Sequence, residues 1–335
     1  MKEDDIRPRA LVEEQARLYA NDIARMMSKK DGFFLRPCPA CDSKASTPSY
    51  SKHEMSYVEC SDCQTTFANP APTAEILQEY YRNSENYKFW TSTIFPLTED
   101  VRRESIFMPR ADALFSICEE YGQSLGALVE IGPGFGTFCE EIIKRDLFEQ
   151  VLAIEPTPEL AQTLREKGIE VIEKFIEEIT EQAIADVVVA FEVIEHMLEP
   201  RRFLDVIFNM LRPDGLLMLT APNGHGFDTL VLQEKAPAVD VEHLTLFTPN
   251  SLKSLLEKIG FEVLLIDTPG TLDADIVRNR LMNDEALRQS HPFLVHLLLE
   301  REDTMALKLQ SFLTKEGLSG NLRAIARKKP SLNIS

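Results

Sequence analysis

The stretch Val129–Phe138, VEIGPGFGTF, carries glycines at Gly132, Gly134 and Gly136. The apolar run GALVEI leads into it, and the helix-like stretch GTFCEEIIKRDL leads out. A strand, a glycine turn and a helix make a nucleotide-binding corner, because glycine lets backbone amides approach a ligand at a helix N-terminus. On the loop alone, a pyrophosphate cofactor, a cationic cofactor and a plain structural turn all remain open. The spacing is G-x-G-x-G with Pro133 inside it, whereas dinucleotide folds use G-x-G-x-x-G. Glu130, two residues ahead of the first glycine, puts a carboxylate where a pyrophosphate would be repelled and a cation attracted. Glu155 ends the next apolar run, VLAIEP, about nineteen residues past Gly136, where an acid accepts hydrogen bonds from two ribose hydroxyls. The set fits adenosine joined to an amino-acid cation.

From about residue 126 short apolar runs alternate with helical patterns: ALVEIG, VLAIEP, IEVIEK, DVVVAFE, LLMLTAPN and FEVLLIDT. Such alternation predicts an α/β fold, a Rossmann-like parallel sheet with helices on both faces. Pro213, Asp214 and Gly215 supply the turn before LLMLT. Residues 275–318 read as two helices, and LRAIARK as a last strand returning to the same sheet. Upstream, residues 8–29 carry a helical apolar pattern, and residues 36–70 are rich in Cys, Pro, Ser and Asp. Residues 72–124 return to helix, with Thr73 as a cap and Glu75 in the first turn. The expected organisation is an N-terminal helix (1–35), a cysteine module (36–70), a helical linker or lid (71–124) and an α/β domain (125–335) with a helical insertion (275–318).

The chain has 335 residues, 44% hydrophobic and 27% charged, which is ample for a core. Its net charge of −18 matches a nucleic-acid partner poorly, since phosphate backbones require clustered Lys and Arg. The N-terminal stretch lacks the apolar region of a signal peptide. No apolar run approaches the ~18 residues that a membrane span requires. A cytoplasmic location is therefore expected.

Four of the six cysteines form two C-x-x-C pairs, Cys38 with Cys41 and Cys60 with Cys63, separated by eighteen residues. Two such knuckles complete a tetrahedral Zn2+ site; four protein ligands leave no open position, so the metal is expected to be structural. It would supply folding energy to a module too small for its own core. Cys118 and Cys139 sit in helical patterns as plain buried residues.

These residues resemble the class I S-adenosylmethionine-dependent methyltransferases. VEIGPGFG looks like their first motif, AIEP their second, DVVVAFEVIEHMLEP their fourth-strand motif and LRPDGLLMLTAPN their fifth, in order over about residues 126–268. The resemblance implies S-adenosyl-L-methionine (SAM) as cofactor. Gly132, Gly134 and Gly136 would meet its methionine part and Glu155 its ribose. Phe175 and Ile176 would lie near adenine, with Phe191 and Glu192 on the other side. The module CPAC…CSDC followed by ANPAPTAEILQEYY is similar to that of bacterial sugar methyltransferases, in which it helps to shape the acceptor pocket.

The segment EHLTLFTPNSL resembles one of zinc-containing deoxysugar C-methyltransferases in which a histidine serves as base. A histidine near neutral pKa suits removal of an acceptor proton. By that resemblance His243 is the base and Glu242 its partner or an acceptor ligand. His196 is expected to satisfy the turn after the fourth strand, and His225 to stand beside the pocket. Arg102, Arg103 and Arg110 are candidates to pair with the cofactor carboxylate or an acceptor phosphate. The aromatics of NYKFW are expected to fold over the site as a lid.

The acceptor implied is a small molecule, a sugar nucleotide or glycan precursor, methylated on oxygen in preference to carbon or nitrogen. One rival is an RNA or protein methyltransferase using the ribbon for recognition, but the ribbon carries no basic run. Another is a scaffold on a retired fold, against which the intact Glu130, glycines and Glu155 argue. The 275–318 helices are placed to cover the pocket or to form a dimer contact.

Overall fold

The computed structural model describes residues 2–329. Its strands are β1 (Ser46–Lys52), β2 (Met55–Cys60), β3 (Thr66–Ala68), β4 (Ala127–Ile131), β5 (Gln150–Ile154), β6 (Glu170–Ile172), β7 (Ala185–Phe191), β8 (Leu211–Pro222), β9 (Thr245–Leu246), β10 (Phe261–Asp267) and β11 (Asn321–Lys328). They form two sheets. The larger has the order β10-β11-β8-β7-β4-β5-β6. Its strands from β6 through β8 run parallel, while β11 lies antiparallel to both β8 and β10. Every residue of β4 and β7 is buried, as expected of central strands covered by helices on both faces. The α/β architecture predicted from the alternating pattern is thus present, and LRAIARK is the returning strand β11.

Strand order reverses between β4 and β7, which opens a crevice beyond their carboxyl ends. The glycine loop leaves β4 into this crevice, and Phe191–Glu192 ends β7 beside it.

The smaller sheet has the order β1-β2-β3-β9 and is antiparallel. Its first three strands belong to the cysteine module. Its fourth, Thr245–Leu246, comes from the segment that follows His243.

Residues 85–120 form a nearly continuous helical arm with wider π-type turns at Trp90–Ile94 and Arg103–Phe107. The C-terminal insertion holds four helices among the described residues, Asp273–Asn283, Glu285–Ser290, Pro292–Leu298 and Asp303–Lys315, where the apolar pattern predicts two. The extra boundaries have local causes. Asp284 takes an extended conformation and its carboxylate accepts from the Leu287 amide at 3.0 Å, capping a new helix. Pro292 cannot donate to a continuing ladder and starts the next one. Val277, Leu281 and Leu298 of these helices pack in one core with Val239, Leu244 and Leu246.

Candidate active site

The glycine loop is shaped by backbone conformation. Gly132, Gly134 and Gly136 have φ of 65°, 56° and 72°, a region that residues with a side chain rarely enter. At Gly136 space is also short, since a Cβ would lie 2.3 Å from Leu164 Cδ2 and 2.7 Å from Ile169 Cδ1. At Gly134 nothing lies within 4 Å of that position, so the loop is open there. Glu130 is buried and accepts a hydrogen bond from the Cys139 thiol at 2.9 Å. Burial pushes its carboxyl up to about 7, against the pull of that thiol and of Arg110. Glu155 is also buried and accepts from the Thr157 amide at 2.9 Å. Burial raises its carboxyl, and the backbone amides of Thr157 and Gly134 oppose the rise. The pair of acids sits at the ends of neighbouring parallel strands, β4 and β5, on the two sides of the glycine turn.

At the far side of the crevice, Phe191 lies edge-to-face on Phe138 with ring centroids 4.8 Å apart. Glu192 adopts φ 55°, a left-handed conformation uncommon for such a residue. Its carboxylate accepts from Thr220 at 2.5 Å and from Asn321 at 2.9 Å. Phe175 is half exposed at the rim, and Ile176 is buried within the main core.

The arm lies over the loop. Phe95 stacks on Phe135 with centroids 4.2 Å apart. Arg103 donates to Glu99, Glu140 and Glu141, and Lys167 donates to the Phe135 carbonyl at 3.0 Å. Tyr87 is half-buried near Glu155, whose charge adds to desolvation in raising the phenol. Of the three candidate arginines, Arg103 is engaged by acids, and Arg102 donates to the Ile6 carbonyl and lies over Trp90. Arg110 lies 4.6 Å over the Phe191 ring and has a 3.5 Å contact with Glu192. Of the three, Arg110 is the one that stands beside the residues ending β7.

The surroundings of His243 are assembled from distant segments. His243 Nδ1 lies 2.8 Å from the Ala238 carbonyl, and His196 Nδ1 lies 3.0 Å from the Glu242 carbonyl. A carbonyl only accepts, so both Nδ1 atoms carry protons, and Nε2 is the nitrogen that holds the lone pair whenever the ring is neutral. The two rings lie edge-to-face with centroids 4.8 Å apart. Burial, with the charge of His243 second, holds His196 down to about 3, so it is neutral at pH 7. The Tyr81 hydroxyl sits 3.2 Å from His196 Nδ1. Glu242 does not bond to His243; its carboxylate accepts from the Tyr80 hydroxyl at 2.5 Å. Burial and the neighbouring Asp240 raise it. The Leu244 amide donates to the Glu195 carbonyl at 2.8 Å, which ties the His243 segment to the turn after β7.

The cysteine module holds that segment from the other side. Arg36 donates to the carbonyls of Leu198 and Leu244, each at 2.8 Å. Lys52 donates to the Ala236 and Val239 carbonyls, and Tyr57 to that of Asp240. His225 Nε2 meets Glu59 of β2 at 3.0 Å. The four thiols face one another, with Cys38 and Cys63 sulfurs 3.5 Å apart, Cys41 and Cys60 sulfurs 3.5 Å apart, and all four within 4.8 Å. Asp42 and Gln64, which follow the second cysteine of each pair, have φ of 65° and 61°. The two knuckles thus share one turn geometry, and the soft four-sulfur donor set fits Zn2+.

Several participants were not singled out as site residues from sequence. Arg36 lies just before CPAC and Tyr81 within EYY, and neither spacing marks a ligand. Glu195 and His196 had a signal, an acid–histidine pair directly after the fourth strand, but their proximity to His243 depends on a contact across 47 residues.

Residues 102–266 match the family profile described as a methyltransferase domain. With the sheet order and the glycine loop, this defines a class I SAM-dependent methyltransferase domain within the chain. In sequence the chain is similar to the mitochondrial ubiquinone biosynthesis O-methyltransferase of Bos taurus, 28% identical over 154 residues, covering 41% of this chain and 41% of that protein. It is also similar to a "probable S-adenosylmethionine-dependent methyltransferase" of Mycolicibacterium smegmatis, 35% identical over 81 residues, 24% of this chain and 30% of that one. The chain therefore matches less than half the length of these two relatives. Among solved structures, a SAM-dependent methyltransferase of Archaeoglobus fulgidus superposes with a TM-score of 0.48 at 17% identity, over 71% of this chain and 100% of that one. No helix among the described residues is long and apolar enough to cross a membrane.

Proposed function

We propose that the protein transfers a methyl group from SAM to a hydroxyl of a small-molecule acceptor, a sugar nucleotide or glycan precursor. The observation that carries the transfer step is the free Nε2 of His243, on a segment tied by backbone bonding to the turn after β7. The sugar class is supported by the resemblance of EHLTLFTPNSL and of the cysteine module to sugar methyltransferases. When bound, SAM supplies a methyl carbon already activated by sulfonium. Glu155 would hold the ribose hydroxyls, and the open glycine loop would admit the methionine part. Glu130, when ionised, would attract the cationic part, and Arg110 would pair with the carboxyl group. On this reading His243 Nε2 would take the acceptor proton while the activated methyl passes to the acceptor oxygen, with S-adenosylhomocysteine as the leaving group.

Zinc at Cys38, Cys41, Cys60 and Cys63 would act at a distance, by keeping β3 folded as the partner of β9 and so holding His243 in place. The test is release of S-adenosylhomocysteine from labelled SAM with a panel of sugar nucleotides, RNA and protein extracts. Turnover with hydroxyl-bearing sugar nucleotides, lost in His243→Ala, is expected. Turnover with RNA or protein alone would overturn the acceptor reading.

A further inference from the structure

Glu195 is buried completely, and neither of its carboxylate oxygens has a hydrogen-bond partner among the described residues. An orphaned carboxylate in such a place costs several kcal/mol unless something compensates it. Its surroundings are specific. One ligand atom each from Glu195, His196 and His243 lie within 4.8 Å of one another. Both imidazoles are already oriented through Nδ1, to the Ala238 and Glu242 carbonyls. A backbone carbonyl on the second ring nitrogen is what fixes the tautomer and aim of a metal-binding histidine. We propose that Glu195, His196 and His243 form a second metal site, for a divalent transition ion such as Zn2+, Co2+ or Ni2+.

The donor set selects the class of ion. Two imidazoles and one carboxylate suit transition ions, whereas Mg2+ and Ca2+ prefer oxygen ligands throughout. Three protein ligands leave a coordination position open, unlike the closed four-cysteine cluster. In a tetrahedral site with bonds of roughly 2.0–2.2 Å, ligand atoms stand about 3.4 Å apart, so small side-chain rotations would close the present spacing. Charge favours the ion as well. Glu192 and Glu195 repel each other, and Arg110 is the cation that faces them both. A divalent ion would give Glu195 the partner it lacks.

The site has a consequence that rests on the proposed reaction. An ion here takes the Nε2 lone pair that would receive the acceptor proton. Metal and proton transfer then compete for one atom, and occupancy inhibits turnover.

The test starts from full-length protein with one equivalent of zinc in the cysteine cluster, measured by elemental analysis. Co2+ and Ni2+ are titrated in, followed by calorimetry and by visible absorption. One further equivalent is expected, without thiolate charge-transfer bands. Its affinity should fall by roughly tenfold or more in His196→Ala, His243→Ala and Glu195→Gln, while the cysteine-bound zinc stays. No further equivalent, or one that persists in all three variants, overturns the site. Should Glu195→Gln fail to fold, the two histidine variants decide, with retained S-adenosylhomocysteine binding as the check on their fold. Turnover is then read at known occupancy. Inhibition reversed by a weak chelator is expected; unchanged or higher turnover at full occupancy would overturn His243 as base and leave the metal site standing.

Discussion

The glycine-loop crevice and the wall that carries His243 are built by opposite routes. The crevice arises from two strand ends and one loop, with Glu130, Gly132, Gly134, Gly136 and Glu155 all within 26 residues. Its conformation is local, set by positive φ at the glycines and by parallel pairing of β4 with β5. The wall places His243 by contacts with Arg36, Lys52 and Tyr57 of the cysteine module and with the turn after β7. None of these partners is near it in sequence. The difference teaches that, under the proposed function, binding of the cofactor and delivery of the acceptor would be separable, so perturbing one half should leave the other measurable.

The largest effect should come from breaking the wall at its metal. Cys60→Ser would remove one of the four thiols proposed to hold zinc, and structural zinc supplies on the order of 10 kcal/mol to modules of this kind. Zinc content should fall, the β3–β9 pairing should be lost, and transfer should vanish while S-adenosylhomocysteine still binds. Retained transfer without zinc would show that the module does not hold the wall. Next is His243→Ala, which should lower kcat by about 10²–10⁴-fold with cofactor affinity unchanged. A loss below tenfold in steady-state assays would remove His243 from the proton path.

Breaking the crevice should do the converse. Gly136→Ala forces a side chain into a left-handed backbone and onto Leu164 and Ile169. It should cost about 1–3 kcal/mol by thermal or urea unfolding and weaken cofactor binding. The smallest effect is a pH dependence. Glu130 is pushed up to about 7 by burial, and its ionised form is the one that attracts a cation. SAM affinity should therefore rise between pH 6 and 8, by at most about tenfold per unit below the pKa, and level off above it. Glu130→Gln should flatten the profile. The sign for stability is opposite: a carboxyl raised on folding favours the folded state at low pH, and that contribution is lost as pH rises through about 7.

What the sequence disclosed follows the same division. The glycine loop, Glu155 and the strands of the large sheet were legible because each depends on periodicity or turn chemistry within a few residues. The four cysteines were legible because metal spacing is local to each knuckle. The wall was only partly so. EHLTLF marks His243, but nothing in the sequence indicates that its next residues become the fourth strand of the cysteine module's sheet. Glu242 sits beside His243 in sequence, yet its carboxylate turns to Tyr80, because Asp240–His243 form a turn, closed by the His243 amide donating to the Asp240 carbonyl at 2.9 Å, which sends the two side chains to different partners. His196 has the signature of a turn residue, and only the tertiary fold sets its ring against that of His243.

The most direct test of the central claim, that the crevice holds SAM, is a calorimetric titration of the zinc-loaded protein with S-adenosylhomocysteine, repeated with Glu155→Ala and with NAD. The account predicts micromolar binding to the wild type, its loss in the variant and no heat from NAD. Absence of binding to folded wild-type protein, or binding indifferent to Glu155, would contradict it.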